Sequence, residues 1–178
     1  MAKRIRLLAA RYQNPQPIQK FKNYRAMDNQ ILEIKKTEAK KIVVIGLPAS
    51  GKTWLANKLA TKLNLQVYHS DNYMHHGFED SMYVMQQDIA KNNPKAHIVE
   101  GIAAYRLLRK AAQGVFDYNP DLIIMVNRAE DVRRSIYENE RNKPFRSIAG
   151  MQKTLDKILN EYLALRKVKV PIINFNNI

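Results

Sequence analysis

Eight residues, Gly46-Leu47-Pro48-Ala49-Ser50-Gly51-Lys52-Thr53, leave this chain few folds to choose from. They fit G-x-x-x-x-G-K-[ST], and they stand where that pattern has physical meaning, between an apolar run of strand length (Ile42 to Ile45) and an amphipathic helical stretch (Trp54 to Leu63). Glycines at those spacings let the backbone turn until successive N–H groups face one concave nest, to which the following helix adds its positive end. The natural guest is a polyphosphate. Lys52 supplies a mobile point charge for the outer phosphates, and the Thr53 hydroxyl is a Mg²⁺ ligand. The nucleotide contact set is therefore Gly46, Leu47, Pro48, Ala49, Ser50, Gly51, Lys52, Thr53 and Trp54, with the tryptophan expected to pack rather than to serve as a base platform.

From Lys41 onward, apolar runs alternate with amphipathic stretches, the pattern of a parallel sheet with crossover helices and hence of an α/β fold. Strands are predicted at Ile42–Ile45, Gln66–His69, Ala96–Val99, Leu122–Val126 and Ile172–Phe175. Helices are predicted at Trp54–Leu63, Ser81–Lys91, Ala104–Ala112 and Glu130–Arg141. One more is marked by Met151, Leu155, Ile158, Leu159, Tyr162 and Leu165, which recur at three- and four-residue spacing as a single buried face. Ahead of these lies a segment dominated by charge: residues 1–41 hold eleven basic and three acidic side chains. It reads as a basic extension, residues 1–38, in front of a domain spanning 39–178, with Asp28 expected to cap a short helix reaching Glu38.

The strand ends decide which phosphate chemistry follows, because open α/β sheets gather their ligands there. Asp71, just past the second strand, suits a general base: an alcohol acceptor needs its proton taken, whereas an acceptor phosphate does not. The same residue also suits a turn cap. Glu100, closing the third strand ahead of Gly101, is placed to hold a Mg²⁺-bound water or to orient the acceptor. Arg134 and Arg141, seven residues apart, share one helical face able to fold over a triphosphate. His69, His75 and His76 lack a metal-ligand spacing, and no zinc site is read from them.

The order GLPASGKT, YHSDNY, IVEGI and VRRSIYENER resembles the small P-loop kinases of the uridine-kinase and polynucleotide-kinase type, over Lys41 to Ile178. That resemblance implies a three-layer P-loop NTPase fold with a five-stranded parallel sheet in the order 2-3-1-4-5, a helical lid, and ATP with Mg²⁺ as the phosphoryl donor. Carried over, Lys52, Asp71, Arg134 and Arg141 are the catalytic set, with Asp71 as base and the arginines in the lid. Thr53 and, through water, Glu100 serve the metal. Asn174 and Phe175 stand where related kinases place a nucleobase contact. The sequence departs from the family in its lid, which lacks the R-D-x-x-E-R-G ending.

A formal charge of +14 favours polyanionic partners. Together with Tyr73, Phe78, Tyr83 and Tyr105 it gives the chain the look of viral kinases that phosphorylate a hydroxymethylated pyrimidine in DNA. The favoured acceptor is then a hydroxyl on DNA or another polynucleotide, with Tyr73, Arg106 and Glu100 on the acceptor side and Arg109 beside them. Two rivals stand against it: a uridine-kinase-like nucleoside or metabolite kinase, and a nucleic-acid-binding ATPase with no phosphoryl acceptor. Without cysteine there are no disulfides or thiol nucleophiles. Without a signal-peptide-like start, the expected location is the cytoplasm.

Overall fold

The computed structural model describes residues 17–77, 80–93, 95–141, 148–166 and 170–177, with side chains at 26–77, 80–93, 95–139, 151–165 and 170–177. Five parallel strands form one sheet: β1 (Lys41–Gly46), β2 (Val67–His69), β3 (His97–Glu100), β4 (Leu122–Asn127) and β5 (Ile172–Asn176). Their order is β2-β3-β1-β4-β5. Helices α1 (Pro17–Lys36), α2 (Lys52–Leu63), α3 (Asp80–Asn92), α4 (Ala104–Ala112), α5 (Glu130–Arg141) and α6 (Ile148–Arg166) complete it, with a 3₁₀ helix at Ser70–His76. All five strands lie where the sequence places them, to within one or two residues.

The alternation of strand side chains separates two cores. Ile42 and Val44 of the central strand face one side with Leu55, Ala56 and Leu59 of α2, while Val43 and Ile45 face the other with Tyr105, Leu107 and Leu108 of α4. Burial on both faces is why β1 reads as a continuous apolar run, and each such side chain contributes about 1.5–3 kcal/mol. Leu155, Ile158, Leu159 and Tyr162 of α6 close the second core, whereas Met151 and Leu165, expected on the same face, are exposed.

The N-terminal segment departs most from its sequence reading. Rather than a short helix capped by Asp28, α1 runs from Pro17, and Asp28 lies exposed within it. Proline suits a first helical turn because its missing N–H has no intrahelical partner there. Met27, Ile31 and Ile34 pack into the core with α2 and Phe175. Gln30 Oε1 accepts from the Asn176 amide at 3.1 Å, covering the edge strand β5. Within the segment set apart by its charge, Met27, Ile31 and Ile34 thus share the core of the sheet.

Register fixes the functional edge. Val44 pairs with Glu100, Gly46 with Val126, His69 with Glu100, and Asn127 with Asn176, so the carboxyl ends of all five strands open on one rim.

Candidate active site

At the centre of that rim β1 ends in the phosphate loop. Gly51 caps α2 with φ +90°, a left-handed conformation that turns the first amides of the helix toward the loop. The loop is held from the far side of the sheet. Asn177 Nδ2 donates to the Ser50 carbonyl at 2.8 Å, and Arg128 donates to the Ala49 carbonyl at 3.1 Å. Both contacts were missed in the sequence. Of the two residues expected to contact a nucleobase, Asn174 is exposed and Phe175 lies fully in the core, and it is Asn177, buried just past β5, that meets the loop. Arg128 stands directly past β4, and strand-end position alone would have singled it out.

Beside the loop, Thr53 Oγ1 donates to both Glu100 carboxylate oxygens at 3.2 Å. Glu100 is only 3 % exposed and also accepts from His69 Nδ1 at 2.8 Å, the carboxylate fixing the proton on that ring nitrogen. A buried carboxylate against the one hydroxyl suited to a phosphate-bound cation is the donor set a hydrated Mg²⁺ requires. The residues therefore fit the ion. Gly101 follows with φ +120°, and a Cβ there would run into the Ser70 hydroxyl. That close approach of the β2 and β3 ends explains the E-G pair.

Asp71 lies on the 3₁₀ helix past β2, exposed at the rim. Lys52 opens α2. Trp54 does not pack in the core: it is exposed on α2, with Lys58 Nζ 5.8 Å from its ring centroid.

The neighbouring arginines of α5, Arg133 and Arg134, differ in burial. Arg134 pairs with Glu130 at 3.2 Å on the outer face of α5, both side chains well exposed. Arg133 is the buried one, with Nε donating to the Arg128 carbonyl at 3.1 Å. Its side chain joins Gly46, Leu47, Arg128 and Gln152 around a small cavity of about 70 Å³ next to the loop. The Arg141 side chain, Phe78, Lys143 and Arg146 lie outside the described residues.

Among the described residues, Tyr73, Tyr83 and Tyr105 do not form a stacking platform. Tyr105 is 1 % exposed and belongs to the core. The Tyr73 hydroxyl donates to Asp88 on α3, and burial followed by that bond raises its pKa above the usual phenol range. Tyr83 stacks edge-on against Phe116. Arg106 is half-buried on α4, beyond Glu100.

No family model and no curated protein matches the chain. Among solved structures, a provisionally assigned kinase from Chloroflexus aurantiacus superposes with a TM-score of 0.50 at 16% identity, over 76% of this chain and 86% of that one. The fold is the three-layer α/β arrangement of the P-loop NTPases, with the sheet order 2-3-1-4-5. Shikimate kinase from Acinetobacter baumannii (TM-score 0.45, 15% identity, 80% and 88% covered) and deoxyadenosine kinase from M. mycoides (0.44, 12%, 75% and 88%) are also similar. At such identities the likeness is one of fold. No described helix is long and apolar enough to cross a membrane.

Proposed function

We propose that the chain is an ATP- and Mg²⁺-dependent phosphotransferase that passes the γ-phosphoryl group to a hydroxyl of a small molecule, a nucleoside or another metabolite. The observation that carries this reading is the pairing of Thr53 with the buried Glu100 at the foot of the phosphate loop. A carboxylate is held at a desolvation cost where a bound cation would repay it. Thr53 would hold the ion directly and Glu100 would hold its water; once bound, the ion supplies charge neutralisation between donor phosphates. Lys52, Arg128 and Arg133 place positive charge near the oxygens on which negative charge builds up in a loose phosphoryl-transfer transition state. Asp71 takes the proton of the acceptor hydroxyl as its oxygen bonds to the γ-phosphorus. The bond from that phosphorus to the β,γ-bridging oxygen breaks, ADP carries away the electron pair, and the proton returns to solvent from Asp71.

With Tyr73, Tyr83 and Tyr105 engaged within the fold, a small acceptor is favoured over a flipped base. A nucleic-acid hydroxyl remains the second reading, supported by the +14 charge alone. Transfer from γ-labelled ATP to nucleosides, sugars, sugar acids, 5′-hydroxyl oligonucleotides and hydroxymethylated DNA tests both. Label is expected on a small acceptor, lost in Lys52→Ala. In Asp71→Asn transfer falls about 10²–10⁴-fold with nucleotide binding retained. ATP hydrolysis with every acceptor blank would leave an ATPase and end the kinase reading, while full transfer by Asp71→Asn would remove its base.

A further inference from the structure

We propose that Asp88, on α3 and away from the rim, is a positioning residue for Asp71: by accepting from the Tyr73 hydroxyl it fixes the rotation of the 3₁₀ helix that carries the base. The role rests on the kinase reading above, in which Asp71 takes the acceptor's proton.

A 3₁₀ helix of seven residues, Ser70–His76, needs holding from outside. Its i→i+3 hydrogen bonds are poorly aligned, and runs beyond about three or four residues are uncommon. Three residues per turn also stack the side chains at i and i+3 on one face. Ser70 and Tyr73 are such a pair, and both face inward: Ser70 is 1 % exposed, and Tyr73 packs half-buried against the core. Asp71 lies about two-thirds of a turn from Tyr73, which leaves it exposed at the rim.

Two contacts set the phase of that helix. At its start the Ser70 side chain fills the space that a Cβ on Gly101 would need. One turn later the Tyr73 hydroxyl donates to Asp88 Oδ2. Asp88 is steadied in turn by Asn92, whose Nδ2 donates to Oδ1 from the next turn of α3, and α3 is anchored in the core by Met82, Met85 and Ile89. The acceptor is a carboxylate, and such bonds are about twice as strong as those between neutral groups. Asp71 thus stands between a buried serine and a tethered tyrosine. Releasing the tyrosine frees the helix to turn and carries the Asp71 carboxylate off its place, and a shift of about 1 Å in a catalytic group costs about 10²-fold in rate.

The test uses the full chain, γ-labelled ATP, and whichever nucleoside, sugar, sugar acid or oligonucleotide takes label. Tyr73→Phe keeps the ring and removes the donor. It should lower kcat about ten- to a hundredfold, with the acceptor's KM and the affinity for nucleotide changed by less than about threefold. Asp88→Ala should do the same, whereas Asp88→Asn, which keeps an acceptor oxygen, should stay within about threefold of the parent chain. In an Asp71→Asn background Tyr73→Phe should cost nothing further, because a residue acting through the base has no effect once the base is gone. Amide hydrogen exchange gives a readout apart from activity: Tyr73→Phe should quicken it about tenfold or more over residues 70–76 and leave β1 and α2 as they were. Unchanged kcat in Tyr73→Phe, an equal loss in the Asp71→Asn background, or exchange quickened across the whole sheet would each overturn the proposal. So would a rise in KM alone, since the pair would then be an acceptor contact. Failure of the kinase reading looks different: the parent chain itself would label no acceptor, and Asp71 would have no proton to take.

Discussion

Alanine at Gly51 tests whether the last strand holds the phosphate loop in shape. Gly51 has φ +90°, and an L-residue there costs about 1–2 kcal/mol of backbone strain. Its new Cβ would also fall inside the envelope of the Asn177 side-chain nitrogen. Asn177 is 5 % exposed and cannot swing into water without giving up its 2.8 Å bond to the Ser50 carbonyl. A buried carbonyl stripped of its donor costs about 1–3 kcal/mol, so Gly51→Ala should lose about 2–5 kcal/mol, or about 4–20 °C in Tm for a chain of this size. Asn177→Ala removes the same bond without the strain and should lose about 1–3 kcal/mol. Once Asn177 is gone, the alanine at 51 has nothing left to displace there and adds only its backbone term. The double variant should then fall short of the sum of the singles by about 1–3 kcal/mol. Urea unfolding of all four proteins, read at equal m-values, measures this coupling. Additivity within about 0.5 kcal/mol would refute the contact, and with it the claim that β5 shapes the loop.

Glu100→Gln should raise the Mg²⁺ concentration for half-maximal transfer about tenfold or more while changing stability by under about 1 kcal/mol, because losing a buried charge offsets its lost bonds; an unchanged Mg²⁺ titration would contradict the metal role. Ile34→Ala, at a side chain 1 % exposed on α1, should cost about 2–4 kcal/mol in denaturant unfolding, whereas a detached extension would show almost none. His97 gives a pH dependence. Burial lowers its pKa from the usual 6.5, and its partners suit the neutral ring, with Nδ1 donating to the Asn93 carbonyl and Nε2 accepting from Tyr118. The unfolded chain therefore binds the proton first, so stability is full above about pH 6.5 and falls as the pH drops below it. His97→Gln should flatten that part of the profile in unfolding midpoints taken between pH 8 and pH 5.

What the sequence disclosed and what it hid follow from how far apart the deciding contacts lie. The strands were legible because burial on both faces leaves an unbroken apolar run, as in Ile42 to Ile45, and the loop because its chemistry is local to eight residues. Asp71 and Glu100 followed from topology, since a parallel sheet places strand carboxyl ends on one rim. Helix α1 was hidden by charge: the spacing of Met27, Ile31 and Ile34 is helical, yet it sits among lysines and arginines that drew the reading toward a polyanion tail. Adjacent residues on a helix differ by about 100° in direction, so Arg133 turns inward while Arg134 meets solvent. Only the packing of α5 against the rest of the fold sets that phase. Asn177 was further out of reach, because its contact with Ser50 spans 127 positions and exists only once β5 has paired with β4.

That long contact bears on how the site is assembled. The phosphate loop is fixed from one side by its own helix and from the other by Arg128, past β4, and Asn177, past β5. Its nest of amides is thus braced only once β4 and β5 have joined β1, and α1 covers the same edge through Gln30 and the core beneath through Ile34. Local sequence supplies the residues proposed to hold phosphate, while the β4–β5 side of the sheet supplies the contacts that brace their loop. Substitutions along α1 and β5, remote from the rim, should therefore weaken nucleotide binding in proportion to the stability they remove from that edge, whereas equal destabilisation placed at the opposite edge, on β2, should leave the loop's side of the site unaffected. If losses on the two edges reduced nucleotide affinity alike, the loop would be answering to global stability rather than to its own clamp.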